Sequence, residues 1–326
     1  MDPNTIDISI DEIIASFGAF YINEGQNRER LHMLPFEPFG TQSAGTLIPT
    51  DQTVLREANV DVQEILQQYQ DDFTSKGGVD FKPVTIPLYN VKMDVGVIPH
   101  KLIASWLGFL TNNSVQPDTY PFIAWLIEEY LFKQKDEDLE LKAIYKGVYE
   151  APIEGVAGSA DKVMDGIEKQ LDAFVAAGDV APITTGDLGD TGLSDKDMVT
   201  AVEDFVMTIP ERYRYNTTLE ISMNRTLRDK FRRGMREKYQ MYYPMENSLT
   251  MLVDFENITV VGRASMIGKK RIWTTPKYNL LFPVKGFGNQ NGFDIQKLDR
   301  KVKFLTDWWM GAGFVQPKLI FMNEQT

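Results

Sequence analysis

The hydrophobic pattern changes character several times along the chain. Ile10, Ile13, Ile14 and Phe17 fall at the spacing of one helix face, and periodicity then stops until Thr50. The aperiodic stretch still carries Leu34, Phe36, Phe39, Leu47 and Ile48. Solvated tails are poor in large apolar residues, so the pattern predicts an arm ordered by lying on a neighbour. Strict alternation follows. Val84, Ile86 and Leu88 share one face, and Val91, Met93, Val95 and Val97 resume it after a slip of one position near Tyr89-Asn90. Alternation marks a strand and the slip predicts a bulge. With "VDVQEILQQYQDDF" before it and a turn at Lys76-Gly77-Gly78, the segment reads as a hairpin confined to a sheet edge by Pro83 and Pro87. A two-stranded ribbon is marginal alone in water, and no adjacent segment offers to cover it.

From Tyr120 the period becomes helical. Phe122, Leu126 and Tyr130 repeat at four, as do Ile123, Ile127 and Leu131, with Pro121 in the first turn and Gly147 at the end. At 1.5 Å per residue this rod is about 37 Å long. Its middle, "KQKDEDLE", is charged all round, so only part of it belongs in a core; the carboxylates Glu128-Glu129 and Asp136-Glu137-Asp138 read as a solvent face. Beyond residue 151 an α/β pattern begins. Ser194 and Asp197 form a capping signal before a helix with Met198, Val202, Phe205, Val206 and Ile209 on one side, stopped by Pro210. "TTLEISM" reads as a strand and Asn224 as the cap of the next helix. "LTMLVDF", "NITVVGRASMI", "KRIWTT" and "YNLLFPV" read as strands, and the chain closes with two more around a Gly-Ala-Gly break.

Composition narrows the chemistry. The 326 residues are 43% hydrophobic and 25% charged, ordinary for a globular protein. No apolar run is long enough for a membrane helix, and the acidic opening "MDPNTIDISIDEIIASFGAF" is unlike a basic signal peptide. Cysteine is absent, which excludes disulfides, thiol nucleophiles and thiolate metal sites; the two histidines, His32 and His100, sit in Pro-flanked segments and read as structural. Asp187, Asp190, Asp195 and Asp197 do not match a calcium-loop spacing. Phosphate loops, HExxH and GxSxG are missing. The sequence therefore predicts no catalytic residue, no metal and no cofactor.

One feature runs against the net charge of −12: a basic helix, Met223 to Tyr239. Leu227, Phe231, Met235 and Tyr239 form its apolar stripe. Arg225, Arg228, Arg232 and Arg236 border that stripe, with Lys230 and Arg233 on the far side. Three roles fit: phosphate binding, an ordinary solvated face, or arginines meeting carboxylates of another subunit. No aromatic residues interleave for base stacking, and arginine suits bidentate pairing with carboxylate at an interface, which favours the third.

The chain is rich in parts that look unfinished alone, and their order resembles the major capsid proteins of tailed bacteriophages, with the Hong Kong 97-type α+β fold. "DFKPVTIPLYNVKMDVGVIPHKLIASWLG" resembles the returning strand of that family's extended loop. "TYPFIAWLIEEYLFKQKDEDLELKAIYKGVYEAPIEGV" resembles its spine helix, and "DMVTAVEDFVMTIPERYRYNTTLEISMNRTLRDKFRRGMREKY" its axial helix, strand and helix. "ITVVGRASMIGKKRIWTTPKYNLLF" and "VKFLTDWWMGAGFVQPKLIF" resemble the axial strands and the final peripheral strands. The resemblance implies an N-terminal arm (1–50), an extended hairpin loop (51–95), a peripheral domain (96–155) with a spine helix over about 120–146, an axial domain (156–285), and return strands (286–326). It implies hexamers and pentamers in a virion shell assembled in the host cytoplasm. It also implies packaged DNA held without sequence-specific contact, portal protein, separate scaffolding or decoration proteins, and no membrane. A nanocompartment shell of the same fold and a nucleic-acid-binding protein using helix 225–239 are the alternatives. The expected inter-subunit contacts are Arg225, Arg228, Arg232, Arg236, Phe36, Phe39, Ile86, Leu88, Val91 and Met93.

Overall fold

The computed structural model describes residues 36–98, 126–184, 193–239, 250–252, 254–286, 294–298 and 301–324. The first helical pattern, both histidines, the start of the 120–146 helix and most of the 186–197 loop lie outside them.

Two hydrophobic cores organise the described residues. The first is built on a mixed sheet whose central strand is β11 (Lys301–Met310). Val302, Phe304, Thr306, Trp308 and Met310 point inward from it and the residues between point out, the period-two signature of a strand with one covered face. Along one side β11 pairs with β4 (Tyr89–Val97) from Met310↔Tyr89 to Val302↔Val97. Its other side is shared by β10 (Asp294–Leu298) and β9 (Leu280–Lys285). Strand β9 then takes β1 (Thr46–Pro49) in parallel and β12 (Gly313–Phe314) antiparallel.

Helix α1 (126–143) belongs to this core, its first and last turns wound as π-helix, Ile127–Leu131 and Leu139–Ala143. Leu139, Ala143, Ile144 and Tyr145 are buried there, beside Ile167 and Leu171 of α2 (Ile167–Ala177). The charged middle of α1 is less solvated than its composition suggests. Lys135 is buried, with its ammonium 5.0 Å from the Phe132 ring and 6.0 Å from that of Trp308. Glu129–Lys133 and Asp138–Lys142 pair one turn apart on the outer face.

The second core lies under a sheet of order β13-β8-β5-β7-β6: Phe321–Met322, Trp273–Pro276, Leu219–Asn224, Phe255–Arg263 and Met251–Leu252. Strands β5 and β7 are parallel, and the helix between them carries the chain back across the sheet. Helix α3 (Asp195–Thr208) starts where Ser194 Oγ accepts the Asp197 amide at 3.1 Å, and Pro210 follows its end before the short α4 (Glu211–Asn216). The basic helix α5 (Arg225–Tyr239) starts where Asn224 Oδ1 accepts the Thr226 amide at 3.1 Å. Met198, Val202, Phe205 and Val206 of α3 meet Leu227, Phe231 and Met235 of α5 over Leu219, Ile221, Ile258 and Val260. The buried members of this core run from Ile183 to Ile272. Ile167 and Leu171 of α2 and Phe282 and Val284 of β9 turn their apolar sides to α1 and β11 and so join the first core.

Helices α3 and α5 touch at Gly234, where an added Cβ would lie 1.8 Å from the Asp195 carbonyl oxygen. A side chain there has to push backbone against backbone. Gly234→Ala should lower stability by about 1–3 kcal/mol through overpacking, despite the better helix propensity of alanine. Urea unfolding of the variant against the parent measures it.

Candidate interaction surface

Strands β2 (Val54–Val62) and β3 (Val79–Pro87) form an antiparallel ribbon, in register from Val54↔Pro87 to Val62↔Val79. The same chain continues past Leu88 into β4 and changes partner from β2 to β11. The slip in the sequence pattern at Tyr89-Asn90 thus marks a change of sheet.

The root of the ribbon is tightly held. Ile86 is 2% exposed and fills the space where a Cβ on Gly313 would stand, 2.5 Å from its Cγ1. A Cβ on Gly311 would lie 2.4 Å from the Pro87 carbonyl oxygen. The Gly-Ala-Gly break therefore makes room for the ribbon to enter the sheet. Asp165 holds the same region from below. It accepts the Tyr89 hydroxyl at 2.8 Å, the Tyr149 amide at 2.8 Å and the Lys169 ammonium at 2.6 Å. Farther out, Asn59 bonds to Gln316 and Lys318 pairs with Asp61.

Beyond these ties the ribbon's apolar residues face solvent. Val60, Val62, Ile65, Leu66, Tyr69, Phe73, Val79 and Phe81 are all exposed, with Tyr69 at 92% and Phe73 at 95%. The loop between the strands is stiffened from within. Lys76 reaches Glu64 at 2.8 Å, Gln67 donates to the Thr74 carbonyl at 2.7 Å, and Gly77 takes the left-handed φ of 78° that lets Gln63 and Gly78 close the turn. An ordered loop presenting large apolar side chains is a binding surface awaiting cover.

The expected contact residues divide. Ile86, Leu88 and Val91 are buried in their own chain, and Met93 packs against the first core, so three of the four offer no surface to a neighbour. They root the ribbon; the exposed surface lies farther out, at Leu66, Tyr69, Phe73 and Phe81. The signal for these was present as large apolar residues among Gln and Asp with no partner stripe. Phe39 packs on the first core and Phe36 is half-buried.

The basic helix is largely answered within the chain. Arg233 pairs with Asp195 at 2.7 Å, Lys238 pairs with Glu203, and Arg225 donates to Glu37 at 2.8 Å. The Arg233 guanidinium, hydrogen-bonded to Asp195, holds that carboxyl below the usual range. Arg228 pairs with Asp229 beside it at 2.6 Å, Arg232 is half-buried with its Nε covered, and Arg236 is exposed. Of the four arginines that border the stripe, Arg236 is thus the exposed one. Among the described residues no group of three or more His, Asp or Glu could hold a metal ion, and no helix is long and apolar enough to cross a membrane.

No family model and no curated protein matches the sequence. In structure the chain is similar to chains of three particles. Against the satellite phage P4 procapsid the TM-score is 0.56 at 11% identity, covering 96% of this chain and 97% of that one. Against the capsid of Myoviridae phage XM1 it is 0.55 at 11% identity, covering 91% and 94%. Against the capsid of an empty GTA particle it is 0.54 at 14% identity, covering 95% and 97%. The fold is therefore the Hong Kong 97-type α+β capsid fold, reached by a sequence with little identity to any of the three.

Burial pulls the Asp165 carboxyl upward, but the hydrogen bonds from Lys169, the Tyr149 amide and Tyr89 outweigh it and leave the carboxyl below the usual value. A depressed carboxylate stabilises the fold fully above its unfolded pKa, near 3.9, and loses that contribution as pH falls through the folded pKa. Asp165→Asn should therefore lose less stability than the parent between about pH 5 and pH 2, read as urea midpoints across that range.

Proposed function

We propose that this chain is a major capsid protein whose copies tile a closed icosahedral shell, as hexamers and pentamers, around packaged double-stranded DNA. The observation that carries the reading is the ribbon tip: an ordered, apolar projection that its own chain leaves wet. Each large apolar side chain gains about 1.5–3 kcal/mol on full burial, so several together favour association strongly. The tip is unlike the surfaces around it, so its natural complement is a different patch on the next copy. Contacts of that head-to-tail kind build rings, and rings build shells. On this reading Arg236 meets carboxylates of an adjacent copy. The net charge of −12 supplies such carboxylates and argues against broad, sequence-specific contact with the DNA inside. Portal, scaffolding and decoration proteins would be the other partners, in a virion assembled in the host cytoplasm.

Replacing Leu66, Tyr69 and Phe73 together by Ser touches no buried contact and should leave the urea midpoint unchanged. The variant should remain as protomers or small oligomers under electron microscopy while the parent forms particles; shells of normal yield would sink the proposal. Arg236→Glu, leaving the half-buried Arg228 and Arg232 in place, should likewise fold but give no capsomers on size-exclusion chromatography. Normal capsomers would remove Arg236 from the interface.

A further inference from the structure

Two uncovered surfaces of the described residues carry apolar side chains beside charges of opposite sign. The ribbon tip is the acidic one. Asp71 and Asp72 stand between the exposed rings of Tyr69 and Phe73. Lys76 is already held by Glu64, and Asp71 accepts the Tyr69 hydroxyl at 2.9 Å, so neither aspartate pairs with a cation among the described residues. The basic one is the loop Ile267–Lys270 between β7 and β8. Its turn is closed by the Lys269 amide, which donates to the Met266 carbonyl at 3.0 Å, and Gly268 takes the left-handed φ of 80° at the third turn position. Ile267 is 49% exposed, and Lys270 is exposed with no carboxylate paired to it among the described residues. Lys269 reaches Glu168 at 2.9 Å. Lys146, just past α1, donates to the Ile267 carbonyl at 2.6 Å. It is half-buried and also pairs with no carboxylate among the described residues. Burial and the nearby Lys269 lower its pKa.

We infer that the loop Ile267–Lys270, together with Lys146, is the surface on which the ribbon tip of a second copy lands. The inference rests on the reading of the tip as a surface between copies and adds its receiving site. Tip and loop are both uncovered in one protomer, so their pairing runs between protomers. Charge selects the site. On a neutral surface Asp71 and Asp72 would lose water without gaining partners, which opposes the burial of Tyr69 and Phe73. Other exposed apolar residues fit less well. Ile153 and Val156 flank Glu154, Tyr278 has the single Lys277 beside it, and Arg212 near Tyr215 is offset by Glu211. The loop and Lys146 gather three lysines, of which Glu168 answers one. Docking gives the two aspartates their cations, gives Lys146 and Lys270 their carboxylates, and covers Ile267 with the aromatic rings. Opposite potentials also steer the encounter and fix its register. Because donor and receiver are different patches, each copy uses both at once and the contact propagates head to tail.

Charge reversal with rescue tests the pairing, read as capsomer yield on size-exclusion chromatography. Asp71→Lys with Asp72→Lys should lower the yield about tenfold or more, and so should Lys146→Glu with Lys270→Glu. A chain carrying all four changes should recover most of the yield. If Lys146→Glu prevents folding, Lys270→Glu with Asp72→Lys makes the same comparison at two exposed positions. Full yield from the lysine variants overturns the proposal, and so does a combined chain no better than its parts. The replacement of Leu66, Tyr69 and Phe73 by Ser separates the two levels. If it fails to assemble while the lysine variants assemble, the tip is an interface and the loop is not its receiver. If it assembles too, the functional reading falls with the inference. The chain has no cysteine, so a direct probe has no background. Copies with Asp72→Cys mixed with copies with Lys270→Cys should give a mixed dimer with a short bismaleimide, and its absence overturns the proposal equally.

Discussion

The pairing that holds β2 to β3 stops at Leu88, and the same strand continues into the first sheet beside β11. Most of the rest depends on that continuity. A free two-stranded ribbon would flex and fray. One whose strand is also a full member of a larger sheet is a rigid extension of a core. Ile86 seated on Gly313, Pro87 against Gly311, and Tyr89 bonded to Asp165 make the root a fixed joint. The apolar tip is thereby held away from the chain's own body and cannot fold back to bury itself.

Electrostatics divide along the same line between self-sufficient and outward-facing parts. The basic helix is not a free positive patch. Asp195 and Glu203 of α3 answer its far side, and Glu37 answers its start. Arg228 is half-buried and answered by Asp229, and of the arginines bordering the stripe Arg236 is the exposed one. Phosphate binding needs many dispersed cations, and most of those on this helix are already paired.

Buried charge appears where the two cores meet. Residues 37–43, distant from both in sequence, supply two of the three bonds to Glu140 and two of the four acceptors of Arg263. Such networks hold only while every member is satisfied. The halves also share apolar packing, since Met266, Trp273 and Met322 are buried in the first core, with Trp273 edge-on to Phe314.

Much of this was legible in the sequence, because period and capping are local. The alternation through Val84–Leu88 and Val91–Val97, the Ser194 and Asn224 caps, and the stripe of Leu227, Phe231 and Met235 are properties of neighbouring residues, and each element formed where its pattern lay. Which side of a strand stays wet depends on what crosses it. Ile86 and Phe81 lie on the same strand, yet one is sealed by Gly313 and the other is bare. Glu140 looked like one charge in a solvated run, because the partners that bury it, Thr41 and Ser265, lie 99 and 125 residues away. Local chemistry set the elements; only long-range packing decided which charges were buried, which apolar residues were left uncovered, and where one core ended and the next began.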